Sequence, residues 1–398
     1  MKSSEISYRR QSFNILAKVS FQKDSLKNSF KKEILGIDNK QRIIAIKKTA
    51  YGVMQNKLFL EYALALKKTN PKVKIILLIA TYELFFSRNK KHAIVNEACN
   101  LAKELKLNFA VGFINAKLRN LERPLKRLLN HLSFAEKLSI RYSYPQKLVD
   151  YLIDKFGQMA VVRFCIYFNK KPKLAVRVNK IKIETLNFNK IADTVDGYFA
   201  PDLLGIEKGE FFVQDIASQM ACDALKPRAG DNILDCCSSP GGKLAAIASI
   251  TGNKARITAC DVSEVKIKKL EENIKRLGIK NVNLLKTDFL KFKLQTKELK
   301  FNKIILDAPC SGLGVLNKHV DAKYLDKDFK AFAKLQLEML KRSADLLAVG
   351  GVLVYSVCTI SQEETSDVIT GFLKEFSEFT LEQEQKFIGF YFVKLLKS

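Results

Sequence analysis

From about Gln214 onward, short apolar runs alternate with longer helical patterns, and this alternation constrains the fold more than any other feature of the chain. Runs over 232–236, 257–260, 282–285, 303–306 and 351–355 are rich in β-branched residues and bounded by turn residues. Such runs predict buried parallel strands. Helical periodicity fills 263–277 and 329–347. Consecutive parallel strands need crossovers, so the pattern predicts a doubly wound, Rossmann-like α/β sheet. In such a sheet, ligands bind beyond the carboxyl ends of the strands. The tail Phe387-Ile-Gly-Phe-Tyr-Phe-Val-Lys-Leu is expected to close the sheet as an edge strand.

The N-terminal third has a different period. Ile43, Ile44, Lys47, Lys48 and Tyr51 repeat at helical spacing, as do Ile76, Leu77, Ala80, Leu84 and Phe85. Breaks at Pro71 and Asn89-Lys-Lys divide residues 8 to about 131 into an all-α bundle of six to seven helices. From Tyr144 to about Leu204 the character changes again. Pro145 suits the first turn of a helix over 146–156. Ala175-Val-Arg-Val-Asn and Lys180-Ile-Lys-Ile-Glu read as strands of a small sheet. The expected domains are thus a helical bundle over 1–135, a small α+β unit over 136–210, and the α/β unit over 211–398.

Charge follows that division. The net charge is +27, and residues 1–140, with 28 bases and 10 acids, carry +18 of it. A lysine-biased composition would spread the excess evenly. The lopsided placement predicts a polyanion-binding part joined to a catalytic unit. There are eight cysteines, no CxxC and three histidines, which argues against a zinc site. The polar start and an apolar run, Ile75 to Phe86, that is too short for a bilayer and interrupted by Glu83 point to a soluble, reduced, cytoplasmic protein without a membrane partner. Nothing in the sequence demands more than a monomer.

The strand ends supply the chemistry. Asp235 closes the first strand and leads through Cys237, Ser238, Ser239, Pro240, Gly241, Gly242 and Lys243 into a helix. Paired glycines let backbone approach a ligand, and a helix N-terminus favours an anionic group. The loop is neither a G-x-G-x-x-G fingerprint nor a phosphate P-loop. Asp261, Asp288 and Asp307 close the next strands. Carboxylates at successive strand ends match the hydroxyls and exocyclic amine of a nucleoside. With no diphosphate signature, S-adenosylmethionine is favoured over a dinucleotide. No metal is expected. Cys310 and Cys358 follow two further strands and should emerge at the same rim.

Asp235-Cys-Cys-Ser-Ser-Pro-Gly-Gly-Lys, Asp307-Ala-Pro-Cys-Ser-Gly-Leu-Gly and Tyr355-Ser-Val-Cys-Thr resemble the signature motifs of the RNA 5-methylcytosine methyltransferases. Cytosine C5 is a poor nucleophile until a thiolate adds at C6, so such a reaction needs an activated thiol. A free thiol titrates near 8.5, and a positive field from the cofactor sulfonium and loop amides would lower it. The resemblance implies that Cys358 is the nucleophile and that Cys310 assists product release. It also implies cofactor contacts through Cys237 to Lys243, Asp261, Asp288 and Asp307. Asp307, if protonated, would in addition donate to N3 of the base.

Ala93-Ile-Val-Asn-Glu-Ala and Phe113-Ile-Asn-Ala-Lys-Leu-Arg resemble the NusB-like helical domain. Arg177-Val-Asn and Val213-Gln-Asp-Ile-Ala-Ser-Gln match the same layout, that of the RsmB/Sun/Fmu family of bacterial 16S ribosomal RNA cytosine-C5 methyltransferases. This implies 16S ribosomal RNA as the partner. The chain departs from the family pattern at Ser238-Ser, at Leu244, at Lys318-His-Val-Asp and at Ser361-Gln-Glu-Glu-Thr, none of which touches the thiols. The alternatives are a transfer RNA or other RNA substrate, or a non-catalytic RNA-binding module. DNA cytosine methyltransferases place their nucleophile in a Pro-Cys motif, so the two thiol roles are also open to reversal.

Overall fold

Short polar residues begin most of the N-terminal helices. Side chains of Ser7, Ser25, Asn39 and Asn70 accept from the first free backbone N–H groups of α1 (Tyr8–Gln22), α2 (Leu26–Glu33), α3 (Lys40–Gln55) and α5 (Pro71–Phe86). Between them lies α4 (Lys57–Leu64), and α6 (Lys91–Glu104) and α7 (Val111–Arg119) follow. Ser133 and Glu136 form a capping box on α8 (Phe134–Tyr142), which precedes α9 (Gln146–Phe156) and α10 (Gln158–Asn169). The computed structural model describes residues 7–121, 129–293 and 300–398. The part of the expected bundle at 122–128 lies outside them.

The chain forms two compact units, residues 1–171 with 316–325, and residues 172–315 with 326–398. The stretch 136–210, expected to stand alone, gives its helices to the first unit and its strands to the second.

In the first unit α5 is buried on nearly every side from Val73 to Leu84, so it is the central helix rather than an amphipathic one. Glu83, buried on α5, accepts from Tyr8 and is paired with Arg9 at 3.0 Å. In α3 the core face is Ile46, Ala50 and Val53, and Ile44, one of the residues that mark the helical period, is 64% exposed. The segment Leu316–Leu325 belongs to this unit. Val320 enters its core. Asp321 accepts from the Leu26 N–H at 3.0 Å, and Tyr324 donates to the Met54 carbonyl at 2.8 Å. Lys323 is fully buried, donates to Asn169 at 2.5 Å and lies over the Tyr144 ring. Burial pulls its pKa down to about 7.

The second unit holds two sheets. The smaller is antiparallel, in the order β2 (Asn189–Lys190), β3 (Gly197–Phe199), β1 (Ala175–Val178), β4 (Phe211–Val213). Residues 180–184 do not form the second strand expected from their alternation. The N–H groups of Lys182 and Ile183 both donate to the Asn179 carbonyl, which turns the chain. Arg177, wholly buried, pairs with Asp196 at 3.2 Å and with Asp223 at 2.7 Å. The Asn179 amide donates to the carbonyls of Gly209 and Leu277. These two residues of the Arg-Val-Asn motif are therefore structural ties.

The larger sheet runs β10 (Phe379–Phe387), β11 (Phe390–Lys397), β9 (Leu347–Val357), β8 (Phe301–Asp307), β5 (Asn232–Asp235), β6 (Arg256–Asp261), β7 (Val282–Lys286). Strands β5 to β9 are parallel, as expected. The tail is not the edge. β11 pairs antiparallel with β9, and β10, with Glu382, Glu384 and Lys386 along it, takes the outer position. Charged side chains suit an edge strand because they discourage pairing with a further chain. The chain passes from β5 outward to β6 and β7, then returns to β8 on the other side. That reversal between β5 and β8 opens a crevice at their carboxyl ends. α11 (Ile216–Leu225), α12 (Gly242–Ile250), α13 (Glu264–Leu277), α14 (Phe329–Leu346) and α15 (Ser366–Glu375) complete the unit.

Candidate active site

The strand ends converge as the register dictates. Asp235, Asp261 and Asp307 close β5, β6 and β8, three neighbouring strands. Asp235 is fully buried. One carboxylate oxygen accepts from the Ser238 hydroxyl at 2.8 Å, and the other has no partner. Gly241 has φ +99°, a conformation that penalises any side chain, and its N–H closes a tight turn onto the Ser238 carbonyl at 2.7 Å. Ser239 precedes Pro240 through a cis peptide bond, and Gly242 begins α12. Asp261 is buried and accepts from the Ser263 N–H at 3.1 Å, with Lys266 at 3.4 Å. Asp288 is exposed and caps a short 3₁₀ turn by accepting from the Leu290 N–H.

Lys243 reaches across the crevice. Its buried ammonium lies 2.7 Å from Asp307, which also accepts from the Ser356 hydroxyl at 2.9 Å. Burial alone would lower the Lys243 pKa, but Asp307, with help from Cys222 and Asp235, holds it above its ordinary value. Cys237 is half-buried, and burial pushes its thiol up.

β8 and β9 are parallel neighbours with Asp307 opposite Ser356, so the loops beyond them leave side by side. Cys310 and Cys358 meet there, half-buried, with their sulfurs 3.2 Å apart and unbridged. The hydrogen bond to Cys358, then burial, push the Cys310 thiol well above its ordinary value, which holds it protonated at neutral pH. The two loops are stitched together. The Gly314 N–H donates to the Cys358 carbonyl at 2.9 Å, and the hydroxyls of Ser311 and Thr359 bond at 2.8 Å. A Cβ on Gly314 would lie 1.5 Å from the Gly389 carbonyl oxygen, so only glycine fits there.

Three residues here escaped the sequence reading. Glu364, fully buried, accepts from the Ser311 N–H at 2.8 Å, from Gln336 at 3.0 Å and from the Ser361 hydroxyl at 2.6 Å. Gln336 in turn donates to the Pro309 carbonyl at 2.9 Å. Lys327 donates to the Ser311 carbonyl at 2.6 Å. Its ammonium is lowered by burial, against the opposing pull of Cys310, Glu364 and Cys358. Glu364 lies in the Ser361-Gln-Glu-Glu-Thr stretch noted in the sequence, but spacing alone does not say which of two glutamates turns inward. Lys327 stands just before the Asp328 cap of α14 and carries no pattern of its own.

Asp235 gives a test by pH. Burial is the largest cause of its shift to about 7. An unfolded aspartate titrates near 3.9. Between those values the folded state holds a proton that the unfolded state lacks, so this group's contribution to stability is full below about pH 4 and is lost as pH rises through about 7. Asp235→Asn should therefore stabilise the protein more at pH 8 than at pH 5, by a few kcal/mol at most. Urea unfolding at both pH values checks this, and equal effects would contradict it.

The unpartnered oxygens of Asp235 and of buried Gln214 are acceptors lacking donors. Together with the side-chain-free cradle at Gly241–Gly242 and the carboxylate of Asp261, they fit a ligand that brings an ammonium and ribose hydroxyls. Among the described residues no group of three or more His, Cys, Asp or Glu could hold a metal, and no helix is long and apolar enough to cross a membrane.

Residues 222–391 match the family described as 16S rRNA methyltransferase RsmB/F, and residues 7–123 match the NusB family. A probable ribosomal RNA small subunit methyltransferase B of Bacillus subtilis is 30% identical over 354 residues, covering 83% of this chain and 79% of the relative. A ribosomal RNA small subunit methyltransferase B of Enterobacter is 30% identical over 404 residues, covering 94% and 91%. The crystal structure of a methyltransferase homologue from Pyrococcus horikoshii superimposes with a TM-score of 0.58 at 25% identity, over 67% of this chain and 100% of that one.

Proposed function

The chain belongs to the 16S rRNA methyltransferase RsmB/F family, and from that premise we propose that it transfers a methyl group from S-adenosylmethionine to C5 of a cytosine in 16S ribosomal RNA. The observation that carries this reading is the thiol pair, 3.2 Å apart, beside the Lys243–Asp307 pair at the mouth of the crevice. Two thiols at adjacent strand ends suit a reaction that must make and then break a carbon–sulfur bond.

S-adenosylmethionine, when bound, supplies an electrophilic methyl group next to a sulfonium charge. The loop from Cys237 to Lys243 and the carboxylates of Asp261 and Asp288 would hold it. The target base must leave any stack to enter the crevice. Cys358 adds through sulfur to C6 of the cytosine, and the ring electrons moved by that bond make C5 nucleophilic. As sulfur adds, N3 becomes more basic, and Asp307, if it takes up a proton when the base binds, would donate that proton to N3. After methylation a base takes the C5 proton, and the electrons of that C–H bond re-form the C5–C6 double bond and expel the Cys358 sulfur. Cys310, whose sulfur lies 3.2 Å from that of Cys358, is placed to return a proton to the departing thiolate. The basic helical region over 1–135 and the small sheet would grip the RNA, largely through its phosphates.

Bisulfite sequencing of 16S ribosomal RNA from cells with and without the protein tests this. One protected cytosine that disappears with the protein is expected. An unchanged rRNA pattern alongside a change in transfer RNA would move the substrate.

A further inference from the structure

A buried carboxylate with four donors around it, drawn from both thiol-bearing loops and from α14, has no part in the reaction just described. Glu364 is 0% exposed. One of its oxygens accepts from the Ser311 N–H at 2.8 Å and from the Gln336 amide at 3.0 Å. The other accepts from the Ser361 hydroxyl at 2.6 Å and, more weakly, from the Thr359 hydroxyl at 3.5 Å. Its own backbone carbonyl lies 2.8 Å from the Tyr355 hydroxyl, whose oxygen is also 3.0 Å from the Gln336 amide oxygen, so its one proton is available to either. Ser311 follows Cys310 and Thr359 follows Cys358. The same carboxylate thus holds the residue next to each thiol.

We propose that Glu364 is a positioning residue whose two carboxylate oxygens, one on each loop, set the separation and facing of the Cys310 and Cys358 sulfurs. Gln336 extends the clamp by holding the Pro309 carbonyl on the far side of Cys310. The chemistry of the donors explains the choice of residue. A carboxylate buried away from water must have its lone pairs filled, and a buried acceptor left without donors is costly. Four donors converging on one group fix both loops relative to a single point, which a set of separate neutral bonds would not do.

The donor set also predicts which substitution is tolerated. The oxygen facing Ser311 meets a backbone N–H, which cannot turn. The oxygen facing Ser361 and Thr359 meets hydroxyls, which rotate and accept as readily as they donate. Glu364→Gln can therefore keep its oxygen on Ser311 and point its amide nitrogen at the hydroxyls, so the reach is kept and the charge is lost. Glu364→Asp keeps the charge but is one methylene short and cannot span both loops.

The proposal rests on the methyltransferase reading only for its rate readout, because the thiol spacing can be measured without RNA or cofactor. The full-length protein and both variants are treated with dibromobimane, which fluoresces on bridging two close thiols, and in parallel with iodoacetamide. Calorimetry with S-adenosylmethionine follows, then kcat and KM on 16S ribosomal RNA. Wild type and Glu364→Gln are expected to bridge Cys310 to Cys358 and to keep kcat within a few-fold. Glu364→Asp is expected to lose the bridge while both thiols still alkylate singly, and to lose about 100-fold in kcat with KM little changed, the cost of a misplacement near 1 Å. Equal bridging and rate in the aspartate variant would overturn the proposal. So would a glutamine variant as impaired as the aspartate one, or loss of cofactor binding in either, since each would show a role other than spacing. A wild type that bridges in a Glu364-dependent way yet methylates nothing would leave the clamp standing and sink the function.

Discussion

Replacing Cys358 with alanine is expected to abolish methyl transfer, and replacing Cys310 with alanine to leave the protein covalently attached to its RNA. The two outcomes differ because the two sulfurs, although only 3.2 Å apart, are given different roles, and Cys310 is the one held as a thiol. Cys310 accepts the consequences of its hydrogen bond to Cys358 and of burial, which keep it a thiol. A thiol is a poor nucleophile and a usable proton source. Cys358 sits at the end of β9, two residues beyond Ser356, whose hydroxyl bonds Asp307. Its assignment as the nucleophile is what the resemblance of Tyr355-Ser-Val-Cys-Thr to the family's motif implies. Without it no C6 adduct forms, and a loss of at least 10⁴-fold is expected, the scale seen when a covalent nucleophile is removed. Without Cys310 the adduct forms but its breakdown slows. Denaturing gels of enzyme mixed with labelled 16S fragments show this as a slow-migrating band in Cys310→Ala and none in Cys358→Ala. A band that needs Cys310 and survives loss of Cys358 would reverse the assignment.

Asp307→Asn should be nearly as damaging to activity and also costly to the fold. Lys243 is buried, and its ammonium depends on Asp307 at 2.7 Å to stay charged there. Removing one partner of a buried pair leaves an uncompensated charge, at about 3–5 kcal/mol when both are fully enclosed. Asp307 is about one-third exposed, so water offsets part of that cost, and a loss of roughly 1–2 kcal/mol is expected. The kinetic effect is larger. A proton partner to the reacting ring contributes about 10²–10⁴-fold. Single-turnover methylation and urea unfolding on the same preparations separate the two. A variant that unfolds more readily but turns over normally would remove Asp307 from the chemistry and leave it a structural partner of Lys243.

Much of the catalytic unit was legible because parallel strands in a doubly wound sheet are buried on both faces and so write continuous apolar runs into the sequence. Their ends could then be read one by one, which brought Asp235, Asp261, Asp307 and both thiols to one rim. The tail was misplaced because an apolar strand ending a chain looks like an edge. Phe379–Phe387, whose centre alternates charged residues with glutamines, covers it instead. Residues 180–184 alternate like a strand, yet Asn179 takes their N–H groups and bends them into a turn. Ile44 kept the helical period but faces out, since a period fixes a face and not which side of it meets the core. Glu364, Gln336 and Lys327 were invisible for a different reason. Each acts through partners far away in sequence, and nothing local marks a buried carboxylate, amide or ammonium as the one that is satisfied.

The most direct test of the central claim is to trap the adduct and find its sulfur. RNA carrying 5-fluorocytidine cannot lose the C5 substituent as a proton, so a protein that adds through sulfur stays attached after methylation. Digestion and mass spectrometry of the trapped complex should place the modified nucleotide on Cys358. Attachment at Cys310, or no attachment in the presence of bound S-adenosylmethionine, would contradict it.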